Sequence, residues 1–327
     1  LISSLAPLAT GLCLAATTEN GPTSLSEAKF LWQDGHKAVT ESRYIDAVEP
    51  LQRLIDRYPG YEGYLDAHLD LGRALLKLDD PVRATPLLEY YVSSTSTQLE
   101  GLRARIPLGE ALLKRGKYNE AILDAGEIEK APKATPEILA NALLLKARAL
   151  IGLERDSRAQ DSLNSAKAVA KERLQNSPLI LGEASAIELD LKARECSRFP
   201  TERRLDEEKT IDQLSRRGTC LLEALNIYKD ALNSGRSSAA LEATNRIELA
   251  FDSYHHACLN PPEPPALHPF DRNQTQKARY REELGAVLEQ ECKKRYNEAK
   301  GILLGWKGSL PKETASGVDE LLKTLPE

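Results

Sequence analysis

The densest run of side chains able to hold a metal or move a proton is Tyr254-His255-His256-Ala257-Cys258. Imidazole and thiolate are zinc ligands, and structural zinc sites take them in close pairs. No CxxC or HExxH spacing occurs, and the other ligand types lie far along the chain. The run therefore reads as a helix end with solvated histidines, and no metal is expected. Acid pairs such as Glu207-Glu208 and Glu282-Glu283 are better explained by a solvated helix face than by paired acid–base catalysis. The phosphate-cradling GxGxxG and GxxxxGK[ST] loops are missing, as is the GxSxG nucleophile elbow. These patterns point away from catalysis and toward a chain without a cofactor. The triplet Asn273-Gln274-Thr275 fits a glycosylation acceptor, but so short a pattern recurs by chance.

Four cysteines, Cys196, Cys220, Cys258 and Cys292, fall in the second half of the chain. An even number suits disulfides in an exported protein. Neighbouring antiparallel helices favour Cys196 with Cys220 and Cys258 with Cys292, and the two other connectivities stay open. Reduced, the same residues would serve as small core hydrophobes.

The elements that position these residues are helical. Hydrophobic residues make up 41% and charged residues 28%, which is enough for a real core. Aromatics are sparse at 5%, and the segments are rich in Leu and Ala, favouring helix over strand. With 44 basic and 49 acidic residues the net charge is −5, which argues against nucleic acid as a partner. No apolar run approaches the roughly 20 residues that span a bilayer.

Residues 1–16 are uncharged, small and apolar, like the middle and cleavage parts of a secretory signal peptide. Cleavage near Ala15 or Ala16 would leave the polar run from Thr17 to Ser26 as a mature start, and membrane association would follow from an exported N-terminus. A lipid on Cys13 is disfavoured by Leu12, where Gly or Ala is wanted. A short buried helix is the competing reading, because no basic leading segment precedes the apolar stretch.

Repetition is the strongest pattern. Small residues stand at Gly35, Gly72, Gly109 and Ala147, at intervals of 37, 37 and 38. Twelve positions after each comes an alanine: Ala47, Ala84, Ala121 and Ala159. Three after each mark stand Ala38, Leu75, Leu112 and Leu150, and sixteen after stand Leu51, Leu88, Ala125 and Leu163. These offsets describe a helical hairpin. The small mark lets helix A approach helix B, and the alanine returns the favour. The stretches 42–47 and 116–121 fit the turn between them. Tyr44 and Tyr118, three before an alanine, are expected to pack back into their own hairpins. Tyr58-Pro59-Gly60 ends the first helix B.

Over about residues 26–176 the pattern resembles the tetratricopeptide repeat (TPR) family, and the first repeat is most similar to those of bacterial envelope proteins. Pro50, Pro86 and Pro107 depart from it, each removing a backbone donor inside a helix. Beyond a partial fifth helix over 178–196 the repeat is lost. Helices are then predicted over 205–233, 237–258 and 274–304, with a proline-rich connector at 260–270. The expected fold is all-α: an N-terminal segment 1–25, a TPR-like α-solenoid over 26–196, and a C-terminal helical cap over 197–327.

The resemblance implies right-handed stacking with the A helices lining a concave groove. Residues six before, three before and one after each mark then face inward. These are Lys29, Trp32 and His36; Asp66, Leu69 and Arg73; Arg103, Ile106 and Glu110; and Asn141, Leu144 and Arg148. Such a surface suits a protein or peptide partner. Trp32 is the expected anchor, and Arg73 and Arg148 the expected carboxylate holders. Trp32 packing on the N-terminal segment is the alternative. The family's chaperone-tail clamp wants lysine and asparagine where Trp32 and His36 stand, so that ligand is not implied. Two functions compete: a non-catalytic interaction scaffold of the cell envelope, periplasmic or bound to the outer membrane, and an envelope enzyme with its site in the C-terminal helices.

Overall fold

The structure, a computed structural model, describes residues 22–96, 98–198, 207–235, 237–260 and 274–326, with the side chains of 22–24, 207, 237 and 274–281 left aside. The signal-like segment with Cys13, most of the connector at 260–270, and Asn273 lie outside the described residues. Among the described residues there are thirteen helices and no strand. They are α1 Pro22–Thr40, α2 Tyr44–Arg57, α3 Tyr64–Lys77, α4 Pro81–Ser94, α5 Leu99–Lys114, α6 Tyr118–Lys130 and α7 Pro136–Gly152. There follow α8 Asp156–Arg173, α9 Pro178–Ser197, α10 Glu207–Asn233, α11 Ser237–Leu259, α12 Gln274–Trp306 and α13 Ser316–Thr324. The chain is all-α and TPR-like, as the spacing predicts. The described residues fall into two compact units, divided between Tyr91 and Val92.

The small marks work as close-approach points. In the first unit, a Cβ added to Gly35 would stand 2.5 Å from Leu51 Cγ, and one added to Gly72 would stand 2.7 Å from Leu88 Cγ. Ala47, Ala84, Leu51 and Leu88 are all fully buried. Each glycine thus faces the leucine sixteen positions on. Where that position is Ala125, in the second unit, Gly109 is met by Leu145 of the following A helix. One close approach is conserved in kind while its donor changes. Tyr118 behaves similarly: its ring lies on Gly152 at the end of α7, 2.5 Å from an added Cβ. That correction to the expected packing joins one hairpin to the next instead of closing its own.

Every clear hairpin turns the same way. The residue seven after each mark is left-handed: Ser42 (φ 60), Asp79 (φ 61), Gly116 (φ 71) and Glu154 (φ 57). The next amide then reaches back to the carbonyl three after the mark. Arg43 to Ala38, Asp80 to Leu75, Lys117 to Leu112 and Arg155 to Leu150 span 2.8, 2.8, 2.9 and 2.9 Å. The left-handed residue bonds one carbonyl further on: Val39, Leu76, Leu113 or Ile151. This is the Schellman arrangement, which satisfies carbonyls that a helix end leaves without partners.

Prolines start several helices, where the missing N–H costs nothing; at α7, Thr135 Oγ1 also accepts from the Ile138 amide at 3.3 Å. The helices run through Pro50, Pro86 and Pro107.

In the second unit α9 packs on α10 and α11, and one core runs from Ala186 to Leu325. At its centre the Tyr228 hydroxyl lies 2.9 Å from Thr244 Oγ1, which also donates to the Ala240 carbonyl. Burial pushes the Tyr228 phenol up to about 12. A short α13, not anticipated from the sequence, closes this core through Val318 and Leu321. Two cysteine pairs stand at disulfide distance: Cys196–Cys220 across α9 and α10, and Cys258–Cys292 across α11 and α12.

Candidate partner-binding groove

In the second unit α5, α7, α9 and α11 line a cavity of about 730 Å³. Its floor is apolar, with Leu113, Ile151 and Ile187, and Tyr118 stands at one edge. Its walls are charged in a regular way. Three of the four helices contribute an acid followed four residues later by a base: Glu110 and Lys114, Asp190 and Arg194, Glu242 and Arg246. Residues four apart share one helix face, so each pair reaches the cavity together. On α7 the cation Arg148 stands alone, three residues before Ile151.

Several of these charges engage one another across helices. Arg148 Nη2 donates to Glu242 Oε2 at 3.3 Å, joining α7 to α11. Arg246 Nη1 donates to Asp190 Oδ1 at 2.9 Å, joining α11 to α9. Arg194 Nη1 donates to the Ile151 carbonyl at 3.2 Å, at the C-terminal end of α7, where a cation is also favoured by the helix dipole. Both ion pairs are partly open to water, so they hold orientation more than they add stability. A charged ligand entering the cavity meets cations and anions already positioned.

Of the residues expected in the groove, Glu110 and Arg148 are brought together here. Arg103 and Asn141 do not line the cavity; Arg103 is exposed, and Asn141 Nδ2 donates to Glu137 O of its own helix at 3.0 Å. Leu144 is 1% exposed and belongs to the core. Asp190, Arg194, Glu242 and Arg246 were not foreseen. Their shared acid–base spacing on 190–194 and 242–246 was the signal available.

In the first unit, Lys29, His36 and Asp66 are exposed on α1 and α3, while Trp32, Leu69 and Arg73 are half-buried. Trp32 stacks on His36 with ring centroids 5.1 Å apart. It also lies over the backbone at Gly63, where an added Cβ would come within 2.8 Å of its Cδ1. His36 Nδ1 is 2.6 Å from Oδ2 of the buried Asp70. Burial raises the Asp70 carboxyl, and the His36 bond opposes that shift. Trp32, His36 and Asp70 thus tie α1 to α3, with the outer edge of the imidazole left open. A separate hollow of about 560 Å³ in this unit lies on α2 and the α3–α4 turn, lined by Ile45, Val48 and Leu78, and contains none of the expected groove residues.

The histidine run on α11 is spread out: His255 Nδ1 lies 3.3 Å from the Tyr296 hydroxyl, and His256 is exposed. Among the described residues no helix is long and apolar enough to cross a membrane.

No family model and no curated protein matches the chain. Solved structures similar to it include the following two. A tetratricopeptide repeat protein from Parabacteroides merdae is 13% identical, with 92% of this chain and 99% of that one covered, at a TM-score of 0.40. The Cut9-Hcn1 hetero-tetramer of the APC/C is 13% identical, covering 94% of this chain and 69% of that one, at a TM-score of 0.38. Scores this low add nothing to the repeat spacing and helix packing, on which the TPR-like fold rests.

Proposed function

We propose that this chain is a non-catalytic interaction scaffold that receives a protein or peptide partner in the cavity between α5, α7, α9 and α11. The carrying observation is the presentation of an acid–base pair by each of α5, α9 and α11 over an apolar floor of Leu113, Ile151 and Ile187. Fixed charges of both signs set the register of an extended or helical segment, and the floor takes its apolar side chains. The expected groove of the first unit, with Lys29, Trp32, His36, Asp66, Leu69 and Arg73, offers a second contact area. Arg103 and Asn141 stand outside the second-unit cavity and serve at most as rim contacts.

The setting we infer is the cell envelope, with the chain exported. The signal-like residues 1–16 and the two cysteine pairs at disulfide distance support that reading. Within this reading, residues 197–327 act as a cap on the repeats.

The test is cross-linking and mass spectrometry in native envelopes, with wild type beside Arg148→Glu and Arg246→Glu. Reversing either charge is expected to cut recovery of the cross-linked partner at least several-fold while helical content and melting stay near wild type. Equal recovery from both variants removes the groove from consideration.

A further inference from the structure

Helices α10, α11 and α12 hold a largely buried cation that pairs with no carboxylate among the described residues. Arg217, on α10, is 8% exposed. Its Nη2 donates to Ser253 Oγ at 2.7 Å, and its buried Nε has no acceptor. The charged and titratable groups that act on it are Tyr254 and Tyr296, not acids. Its neighbour Arg295 shows the contrast, held by Glu291 and Glu298 at 3.0 Å each and donating to Ser215 Oγ at 2.8 Å. Burial pulls the Arg217 guanidinium below its ordinary value, yet guanidinium does not lose its proton in proteins. One edge of the guanidinium meets the exposed Ser253 and the Nε edge is buried without an acceptor, so an anion is favoured on the Nε side.

The surroundings hold donors in surplus. Tyr254 is fully buried and its hydroxyl has no partner. Burial pushes its phenol up, so it remains an O–H donor. Ser253, exposed at the edge of the site, accepts from Arg217 and keeps its own proton to give. Gly218 lets the α10 backbone come close to the same hydroxyl, since a Cβ there would stand 2.7 Å from Tyr254 Oη. One turn earlier, Gln213 Oε1 is buried without a partner, and the amide turned over would offer an N–H as well. A water satisfies such donors but leaves the positive charge unmatched. An anion does both.

We propose that Arg217, Ser253 and Tyr254 form a binding site for one compact monovalent anion, of the size of chloride or formate. The anion accepts from Arg217 Nε and from the two hydroxyls, and supplies a negative charge that no described residue gives Arg217.

The experiment is thermal unfolding of the full chain at constant ionic strength, with sodium gluconate replaced stepwise by sodium chloride or by sodium formate. Saturating anion is expected to raise the midpoint by about 5 °C. A response to chloride alone identifies a halide site, and one to formate alone a carboxylate site. Arg217→Met is expected to lose the response, while the exposed neighbour variant Arg216→Met keeps it. Bromide soaked into crystals of the wild type gives a second reading that needs no variant, with an anomalous peak beside Arg217 Nε. Equal midpoints in all three salts, an undiminished response in Arg217→Met, or a bromide map without that peak each overturn the proposal.

Discussion

The backbone of Gly72 lies against the side chain of Leu88, close enough that a Cβ on the glycine would stand 2.7 Å from Leu88 Cγ and 2.8 Å from its Cδ2. The contact joins α3 to α4, and the leucine is fully buried. Removing the absence of a side chain is therefore as disruptive as removing a side chain. Gly72→Ala is expected to cost about 1–3 kcal/mol despite its better helix propensity, and Leu88→Ala about 2–5 kcal/mol. The double variant is expected to lose less than the sum, because the new methyl enters the space that the leucine leaves. Denaturant unfolding of the four proteins measures the coupling; strict additivity would mean that the two residues do not share that space.

The hairpin turns give a second series. Ser42, Asp79 and Glu154 hold a left-handed backbone that Gly116 adopts at the equivalent place. A side chain there costs about 1–2 kcal/mol, and glycine gives back part of this through its freedom in the unfolded chain. Glu154→Gly is expected to stabilise by about 0.5–1 kcal/mol, and Gly116→Ala to destabilise by about 1 kcal/mol. Chemical denaturation with unchanged m-value decides both.

Acid should weaken the first unit through His68. The imidazole is buried against Tyr64 and Tyr90, with ring centroids 4.6 and 4.5 Å away, and its Nδ1–H donates to the Tyr64 carbonyl at 2.8 Å. Desolvation pulls its pKa below the ordinary 6.5, with the carbonyl bond opposing the shift. The unfolded chain takes up the proton first as pH falls. The stability contributed by neutral His68 is present above about pH 6.5 and is lost as pH drops through the lower folded value. Unfolding midpoints from about pH 7 to about pH 5 should fall less steeply in His68→Gln than in wild type. Parallel slopes would assign the acid sensitivity to other groups.

Reduction should act on one unit only. The paired cysteines are separated by 24 and 34 residues, and all four belong to the second unit. Closing loops of that length is worth about 3–4 kcal/mol each in the chain-entropy account. Dithiothreitol is expected to lower the melting of residues 92–327 while leaving hydrogen exchange within residues 22–91 unchanged. A midpoint indifferent to reductant would mean that the four sulfurs are thiols.

The repeats were legible because close helix approach demands small residues at a set period, and that demand is written directly in Gly35, Gly72, Gly109 and Ala147. The frame was lost after Ala147 for a geometric reason. The four earlier A helices end five residues past their marks, at Thr40, Lys77, Lys114 and Gly152. The next position in the period, Ser185, is buried as a mark should be, but α9 continues twelve residues beyond it to Ser197. Every later offset is displaced, so Asp190, Arg194, Glu242 and Arg246 could not be placed by counting. The left-handed turn residues were hidden differently. Ser42, Asp79, Gly116 and Glu154 have no chemistry in common, because the turn selects a backbone angle and tolerates several side chains at a cost.

The two cysteine pairs also decide what a single break in the chain would do. Cys196–Cys220 spans the α9–α10 connection and Cys258–Cys292 spans the α11–α12 connection. With both bonds formed, a protease cut inside either span severs the sequence without releasing a fragment, and the nicked protein keeps its full mass until a reductant is added.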